Sequence, residues 1–267
     1  MEGATGVTCP DDCRPGSPQW DRFRALLTGD VNAVAAGFLD AGIDDIVVTE
    51  AHSSMRNVVL EELDPRIRMV TGRHKTYSML EGIQSRPEFV AFIGYHAAPG
   101  TPGILSHTFL GREITDVRLN GRLMSEGYLN ALLAAEFGGK LAVVAGDDVT
   151  CTDAREYAPA AHCVAVKEAI DRHTALCLTP AASSALLREA ARESVKTAEI
   201  CPLPAAPYSC SVEFQATNSA AAAALIPGVQ QTADRTVTFA FDTVAETYRC
   251  FTVVCRLGGI AAEAVYG

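Results

Sequence analysis

Five side chains stand at the edges of apolar, strand-length runs, in a glycine-rich loop or at the start of a helix. Glu2 lies in the opening Met1-Glu-Gly-Ala-Thr-Gly, and His52 follows Ile46-Val-Val-Thr-Glu50. His96 follows the run Phe89 to Tyr95, His107 ends the Gly- and Pro-rich loop after it, and Glu126 opens a helical pattern. In a doubly wound sheet the carboxyl ends of the strands open onto the site crevice. Neutral imidazoles and carboxylates are the donors that suit zinc, with manganese second, because no paired thiolates accompany them. Two such ions a few ångströms apart can hold a hydroxide and polarise a carbonyl. An imidazole beside them can carry a proton.

Each group also has a plainer reading. A lone histidine is usually structural, and His74, His162 and His173 lack the strand-end setting altogether. On spacing alone, Glu126 reads as a carboxylate favouring the positive end of a helix dipole. Asp147-Asp148, after Lys140-Leu-Ala-Val-Val-Ala-Gly146, reads first as a solvated loop or a helix N-cap and only second as a ligand source. Ser53, Ser54 and Ser106 neighbour histidines, but no Gly-x-Ser-x-Gly elbow is present, which discounts serine catalysis. Neither common phosphate-binding glycine loop occurs.

The elements that must position these groups follow from periodicity. Leu27, Val31, Val34 and Phe38 mark one face of a helix between Ser17 and Leu39, with Gly42 just past its end. Strands are expected at Ile43–Glu50, Ile67–Thr71, Phe89–Tyr95, Lys140–Gly146 and Cys163–Val166. Short helices are expected near Val58–Leu63 and Tyr77–Ile83. Asn120-Gly121 between alternating runs signals a hairpin. Helices follow at Ser125–Phe137 and Ala181–Val195. The alternation argues for an α/β domain over residues 1–201, a helix-covered, mostly parallel sheet. Beyond Pro202, Pro204 and Pro207, two further strand–helix repeats make a smaller α+β lobe over residues 208–267. That lobe holds no histidine, so a structural or assembly role is expected of it.

Composition narrows the class. The chain of 267 residues is 48% hydrophobic and 20% charged, as soluble globular proteins are. A net charge of −10 argues against nucleic acid or an anionic membrane as partner. No run approaches the roughly 18 apolar residues of a membrane helix. The nine cysteines form no Cys-x-x-Cys pair, and read as reduced thiols of a cytoplasmic protein.

An ordered set of short motifs carries a family resemblance. Met1-Glu-Gly-Ala-Thr-Gly, Glu50-Ala-His52-Ser, Gly94-Tyr-His96-Ala and Leu105-Ser-His107-Thr are followed by Gly121-Arg-Leu-Met-Ser-Glu126-Gly-Tyr-Leu-Asn130 and Val144-Ala-Gly-Asp-Asp148. With Ala165-Val-Lys167 and Leu178-Thr-Pro180, they resemble the DppA-type D-aminopeptidases, the M55 peptidase family. The resemblance implies two zinc ions per subunit held by Glu2, His52, His96 and Glu126, which reverses the plain reading of Glu126. It implies His107 as the catalytic residue, described in that family as a nucleophile, where chemistry alone favours a general acid/base. It further implies a homo-oligomer, a decamer, and hydrolysis of short peptides with an N-terminal D-amino acid, such as D-Ala-D-Ala.

The family's motif is Asp-x-Glu-Gly, and its Asp, expected to bridge both metals at the end of a first strand, would fall immediately before Met1. The expectation is therefore a start read too far downstream. Two rivals stand beside this reading. One is another metal-dependent amidohydrolase, and the other is an inactive, truncated relative acting as an oligomeric binding protein.

Overall fold

The structure is a computed structural model that describes residues 1–262. After the N-terminal loop, a single turn, α1 (Pro10–Cys13), leads into α2 (Trp20–Asp40), whose Leu27, Val31, Val34 and Phe38 are all buried. Among the described residues, β1 (Ile46–Thr49) and β2 (Ile67–Val70) pair in parallel with each other and with no other strand. Then come β3 (Phe89–Ile93), the hairpin β4 (Ile114–Leu119) and β5 (Arg122–Leu123), and α3 (Glu126–Glu136). β6 (Lys140–Asp147), α4 (Asp148–Tyr157), β7 (His162–Asp171), β8 (Thr174–Cys177) and α5 (Pro180–Ser194) complete the α/β part. The remainder is β9 (Tyr208–Phe214), α6 (Thr217–Ala223), β10 (Gln230–Ala233), β11 (Thr236–Phe241) and α7 (Val244–Ala261).

The expected α/β architecture is present. β3, β6 and β7 run parallel, with β8 added antiparallel at the edge. β6 is buried along nearly its whole length, which is why it reads as an unbroken apolar run rather than an alternation. Helices α2 and α5 cover one face, and their crossing depends on Gly37. A Cβ there would sit 2.1 Å from the Arg188 carbonyl oxygen.

The second sheet is antiparallel, in the order β10-β11-β9-β4-β5. The Asn120-Gly121 hairpin therefore pairs with the C-terminal strands, and β4 lies against β9 over Ile114–Leu119. One apolar core runs through both parts, from Phe92, Leu129 and Leu132 to Phe214, Val237 and Phe251.

Several elements differ from expectation. The helix expected at Tyr77–Ile83 is two 3-10 turns, Ser78–Leu80 and Ile83–Ser85. α4 follows β6 directly, and Asp147 is its N-cap, accepting from the Thr150 N–H at 2.7 Å. The strand read at Cys163–Val166 continues to Asp171, because Lys167 to Asp171 pair antiparallel with β8. β1 and β3, which flank the carboxyl-end site, do not pair. A groove of about 880 Å3 lies between them.

Candidate metal centre

β1 delivers Glu50 and His52 to its carboxyl end. The Glu50 carboxylate is buried and accepts from the Asn57 side-chain N–H at 3.0 Å and from the Val58 amide. Asn57 also donates to the His52 carbonyl at 2.7 Å. Its Oδ1 accepts from the Trp20 indole at 3.2 Å and faces His52 Nδ1 at 3.4 Å. An indole N–H can only donate, so the amide is oriented and His52 Nδ1 carries the hydrogen. Nε2 is left with its lone pair, 2.8 Å from Glu2 Oε1. Two acceptor atoms this close require a cation or a shared proton between them.

β3 delivers His96, and the loop beyond it delivers His107. His96 Nδ1 faces the Ala97 carbonyl at 3.2 Å, and His107 Nδ1 faces the Leu105 carbonyl at 2.7 Å. Both rings therefore keep Nε2 free. His96 Nε2 lies 3.4 Å from Glu126 Oε2, and His107 Nε2 lies 4.0 Å from Glu126 Oε1. The two rings stack, centroids 4.0 Å apart and 10° from parallel. Donor atoms of His96, His107 and Glu126 all fall within 4.8 Å of one another.

Glu126 sits in the first turn of α3, capped by Ser125, whose Oγ accepts from the Tyr128 N–H and donates to Asp153. The Phe109 amide donates to Glu126 Oε1 at 2.8 Å. Burial pushes Glu126 up, but the imidazole of His96 outweighs it and holds the carboxylate at about 2. Burial likewise opposes ionisation of His96, yet Glu126 leaves it raised above 6.5. Burial and then the charge of His96 lower His107. Glu2, although buried, is held well below its usual range by His52 and then by the amine of Met1.

The donor set fits zinc. Bonds of about 2.0–2.2 Å in a tetrahedral shell put neighbouring ligand atoms about 3.3 Å apart, close to the separations of 2.8 Å and 3.4 Å found here. Second partners hold each imidazole in the tautomer that exposes Nε2, as metal-binding histidines require.

The metal-free site has a defined pH signature. His96 is raised, so its contribution to stability is full below 6.5 and is lost as pH climbs through its folded value. Glu126 is lowered, so its contribution is full above 4.5 and is lost as pH falls toward about 2. Between 4.5 and 6.5 the pair is charged and intact. A zinc ion held by His96 would displace its proton in that window, so binding would release protons and weaken as pH falls. Calorimetry in buffers of different ionisation enthalpy measures this release. Buffer-independent heats at pH 6 would contradict it.

Glu2 is held by the folding of its loop. Lys167 Nζ donates to the carbonyls of Glu2, Ala4 and Val7 at 2.6, 2.9 and 2.6 Å. The Asp30 carboxylate accepts from the Thr5 amide and hydroxyl at 2.9 and 2.8 Å. Gly3 donates its N–H to the Gly94 carbonyl at 3.0 Å, and a Cβ on Gly3 would lie 1.7 Å from the Tyr95 carbonyl oxygen. Backbone blocks that space, so Gly3→Ala must displace the loop. The expected result is loss of at least one bound zinc with the far antiparallel sheet intact, read by metal analysis and circular dichroism. Unchanged zinc content would refute the packing account.

The structure brings Glu2, His52, His96, His107 and Glu126 to one rim and leaves His74, His162 and His173 out of the donor cluster. Asp147 takes a structural place. Its second carboxylate oxygen accepts from the Ile104 amide at 2.6 Å, bracing the loop that carries His107. Asn57 and the clamp formed by Lys167 are not among the groups the sequence marks. Asn57 stands five residues past His52, outside the short Asx spacings, so no local pattern marks it.

A protein of Bacillus subtilis (strain 168) described as a D-aminopeptidase is 33% identical over 264 residues, covering 96% of this chain and 94% of that one. A solved structure, a Zn-dependent D-aminopeptidase DppA from Bacillus subtilis described as a self-compartmentalizing protease, matches with a TM-score of 0.92 and 30% identity. It covers 97% of this chain and 95% of its own. The family model for peptidase family M55, described as D-aminopeptidase, matches residues 1–253. With its imidazoles and carboxylates gathered at one sheet rim, and with likeness along almost its entire length, the chain belongs to the M55 peptidase family of D-aminopeptidases.

Proposed function

We propose that the chain is a zinc-dependent aminopeptidase that releases an N-terminal D-amino acid from short peptides such as D-Ala-D-Ala. The observation that carries this reading is the convergence of His96, His107 and Glu126 within 4.8 Å, beside the Glu2–His52 pair. Glu2, His52, His96 and Glu126 hold two zinc ions. Zinc, when bound, supplies a Lewis acid for the scissile carbonyl and a nucleophile at neutral pH. His107 moves the proton at Nε2. Its Nδ1–H is tied to the Leu105 carbonyl, and its lowered basicity keeps the ring neutral at pH 7, ready to accept a proton and pass it to the leaving amine.

Zinc-reconstituted protein is expected to hydrolyse D-Ala-D-Ala, to spare L-Ala-L-Ala and cyclic amides, and to lose activity on chelation. Cleavage of the cyclic or N-acyl amides in preference would move the assignment to another amidohydrolase.

The same reading makes the protein a homo-oligomer, a decamer by family resemblance. Ile170 and Leu176, on the β7–β8 hairpin, are 69% and 65% exposed, an apolar pair suited to a contact between copies. A reducing, cytoplasmic setting is supported by nine free thiols. No helix of the described residues is long and apolar enough to cross a membrane.

A further inference from the structure

A smaller pocket, of about 220 Å3, adjoins the metal site. One wall is the turn after His52, where the Met55 N–H bonds the His52 carbonyl at 2.8 Å. The opposite wall is the turn after His107, formed by Phe109 and Leu110. The Phe109 amide is the one that donates to Glu126 at 2.8 Å, and a Cβ on Gly111 would meet the His107 ring at 3.3 Å. The two walls thus continue directly from both halves of the site. α7 closes the pocket with Cys255 and Arg256. The buried Cys255 thiol feels the charge of both Glu126 and Arg256.

The lining carries Arg73, His74, Lys75 and Arg256 and, among the described residues, no carboxylate. That is a concentration of positive charge on a chain whose net charge is −10. Lys75 Nζ donates to the Glu50 carbonyl, and Arg73 donates to the Ser53 carbonyl at 2.5 Å. These bonds anchor the two cations without neutralising them. Each cation keeps N–H groups to spare, because an ammonium has three and a guanidinium five. The carboxylates whose charge reaches Lys75 are Glu50 and Glu81. Both are engaged, Glu50 by Asn57 and Val58, and Glu81 by the Tyr77 amide at 2.9 Å and Gln84 at 3.1 Å.

We propose, resting on the aminopeptidase reading, that this pocket takes the free carboxylate of the substrate, borne by the residue that follows the scissile amide. With that amide beside His107, the carboxylate of a dipeptide lies one residue farther along, about 3.5 Å. Arg73 and Arg256 recognise it, since a guanidinium meets a carboxylate with two parallel N–H bonds. Lys75 adds a third positive charge. Met55, Phe109 and Leu110 offer apolar surface to a small side chain such as that of alanine. Holding the carboxyl end fixes the direction in which the peptide lies. It also selects short substrates, because a blocked or distant carboxyl end loses the contact.

The test assays the zinc-loaded full chain on D-Ala-D-Ala and on its C-terminal amide, which lacks the charge. The free acid is expected to be favoured in kcat/KM by about 10–100-fold, the usual worth of hydrogen bonds to a charged group, with the difference in KM. In Arg256→Gln and in Arg73→Gln that preference is expected to fall by about 10-fold, and in Arg256→Glu it turns toward the amide. Both substrates are read on the same protein, so general damage to the fold lowers the two rates together and leaves their ratio intact. A parent without the preference, or variants that keep the parent's ratio, overturn the carboxylate pocket and leave the aminopeptidase reading standing. If neither compound is cleaved, that reading fails, and equilibrium dialysis of the same two compounds decides the pocket by itself. Tighter binding of the acid, lost in Arg256→Gln, supports it. Equal or undetectable binding overturns it.

Discussion

His107→Ala is expected to lower kcat for the proposed substrate D-Ala-D-Ala by about 10²–10⁴-fold, the usual worth of a positioned acid/base, while zinc content is unchanged. The ring sits 4.0 Å from His96 in a parallel stack, and its Nε2 is 4.0 Å from Glu126. It is near enough to serve the reacting atoms, yet farther from the carboxylate than the 3.4 Å of His96. Its Nδ1 is tied to a carbonyl of its own loop, so removing the ring frees no other ligand. The prediction separates three roles. A proton carrier loses kcat with zinc content and KM little changed, and small imidazoles added to the assay restore part of the rate. A direct nucleophile loses kcat too, and a trapped acyl-enzyme in the parent protein would identify it. A ligand loses zinc along with activity, and that outcome would exchange the parts given to His107 and His96.

Lys167→Met is the second large effect. The ammonium is buried in the middle of β7 and places one N–H on each of three carbonyls of the first seven residues. Burial lowers its pKa to about 8, so it remains an ammonium at pH 7 with every donor satisfied. Methionine fills similar space but offers no donor. Each buried carbonyl left bare costs about 1–3 kcal/mol, against a total stability of about 5–15 kcal/mol. The expected result is a fall in Tm of about 10 °C or more. At temperatures where the variant stays folded, zinc affinity is expected to fall at least about 10-fold, because the Glu2 carbonyl belongs to the loop that carries Glu2, a proposed ligand. Lys167→Arg, which keeps the charge but not the fit, should recover part of the stability. A Met variant that melts with the parent and binds zinc equally well would show that the loop holds its shape unaided.

Much of this site could be read from residue order because its groups occupy strand ends. His52 and His96 each follow a β-branched or apolar run by one or two residues, and that position alone marks them. Glu126 could not be told from a helix-dipole carboxylate, since it is in fact both. It opens α3 beneath a Ser125 cap while facing His96. What stayed hidden has physical reasons. β10 is exposed along all four residues, so no alternation betrays it, and β8 is largely exposed too. The inward face of α4 is Thr150, Cys151, Ala154 and Tyr157, too small and mixed to print a stripe. Lys167 looks like the solvated end of a strand, because nothing in a linear pattern shows three carbonyls from 160 or more residues away converging on it. The pairing of the Asn120-Gly121 hairpin with β9 is likewise a long-range fact. It joins segments about 90 residues apart, and local periodicity does not carry it.

The central claim is that Glu2, His52, His96 and Glu126 together bind zinc. Its most direct test is zinc content per chain, by mass spectrometry after removal of free metal, in the parent and in single alanine variants at those four positions. The account predicts bound zinc in the parent and a lower zinc content in every variant. A parent that holds no zinc at pH 7, or variants that retain as much as the parent, would contradict it.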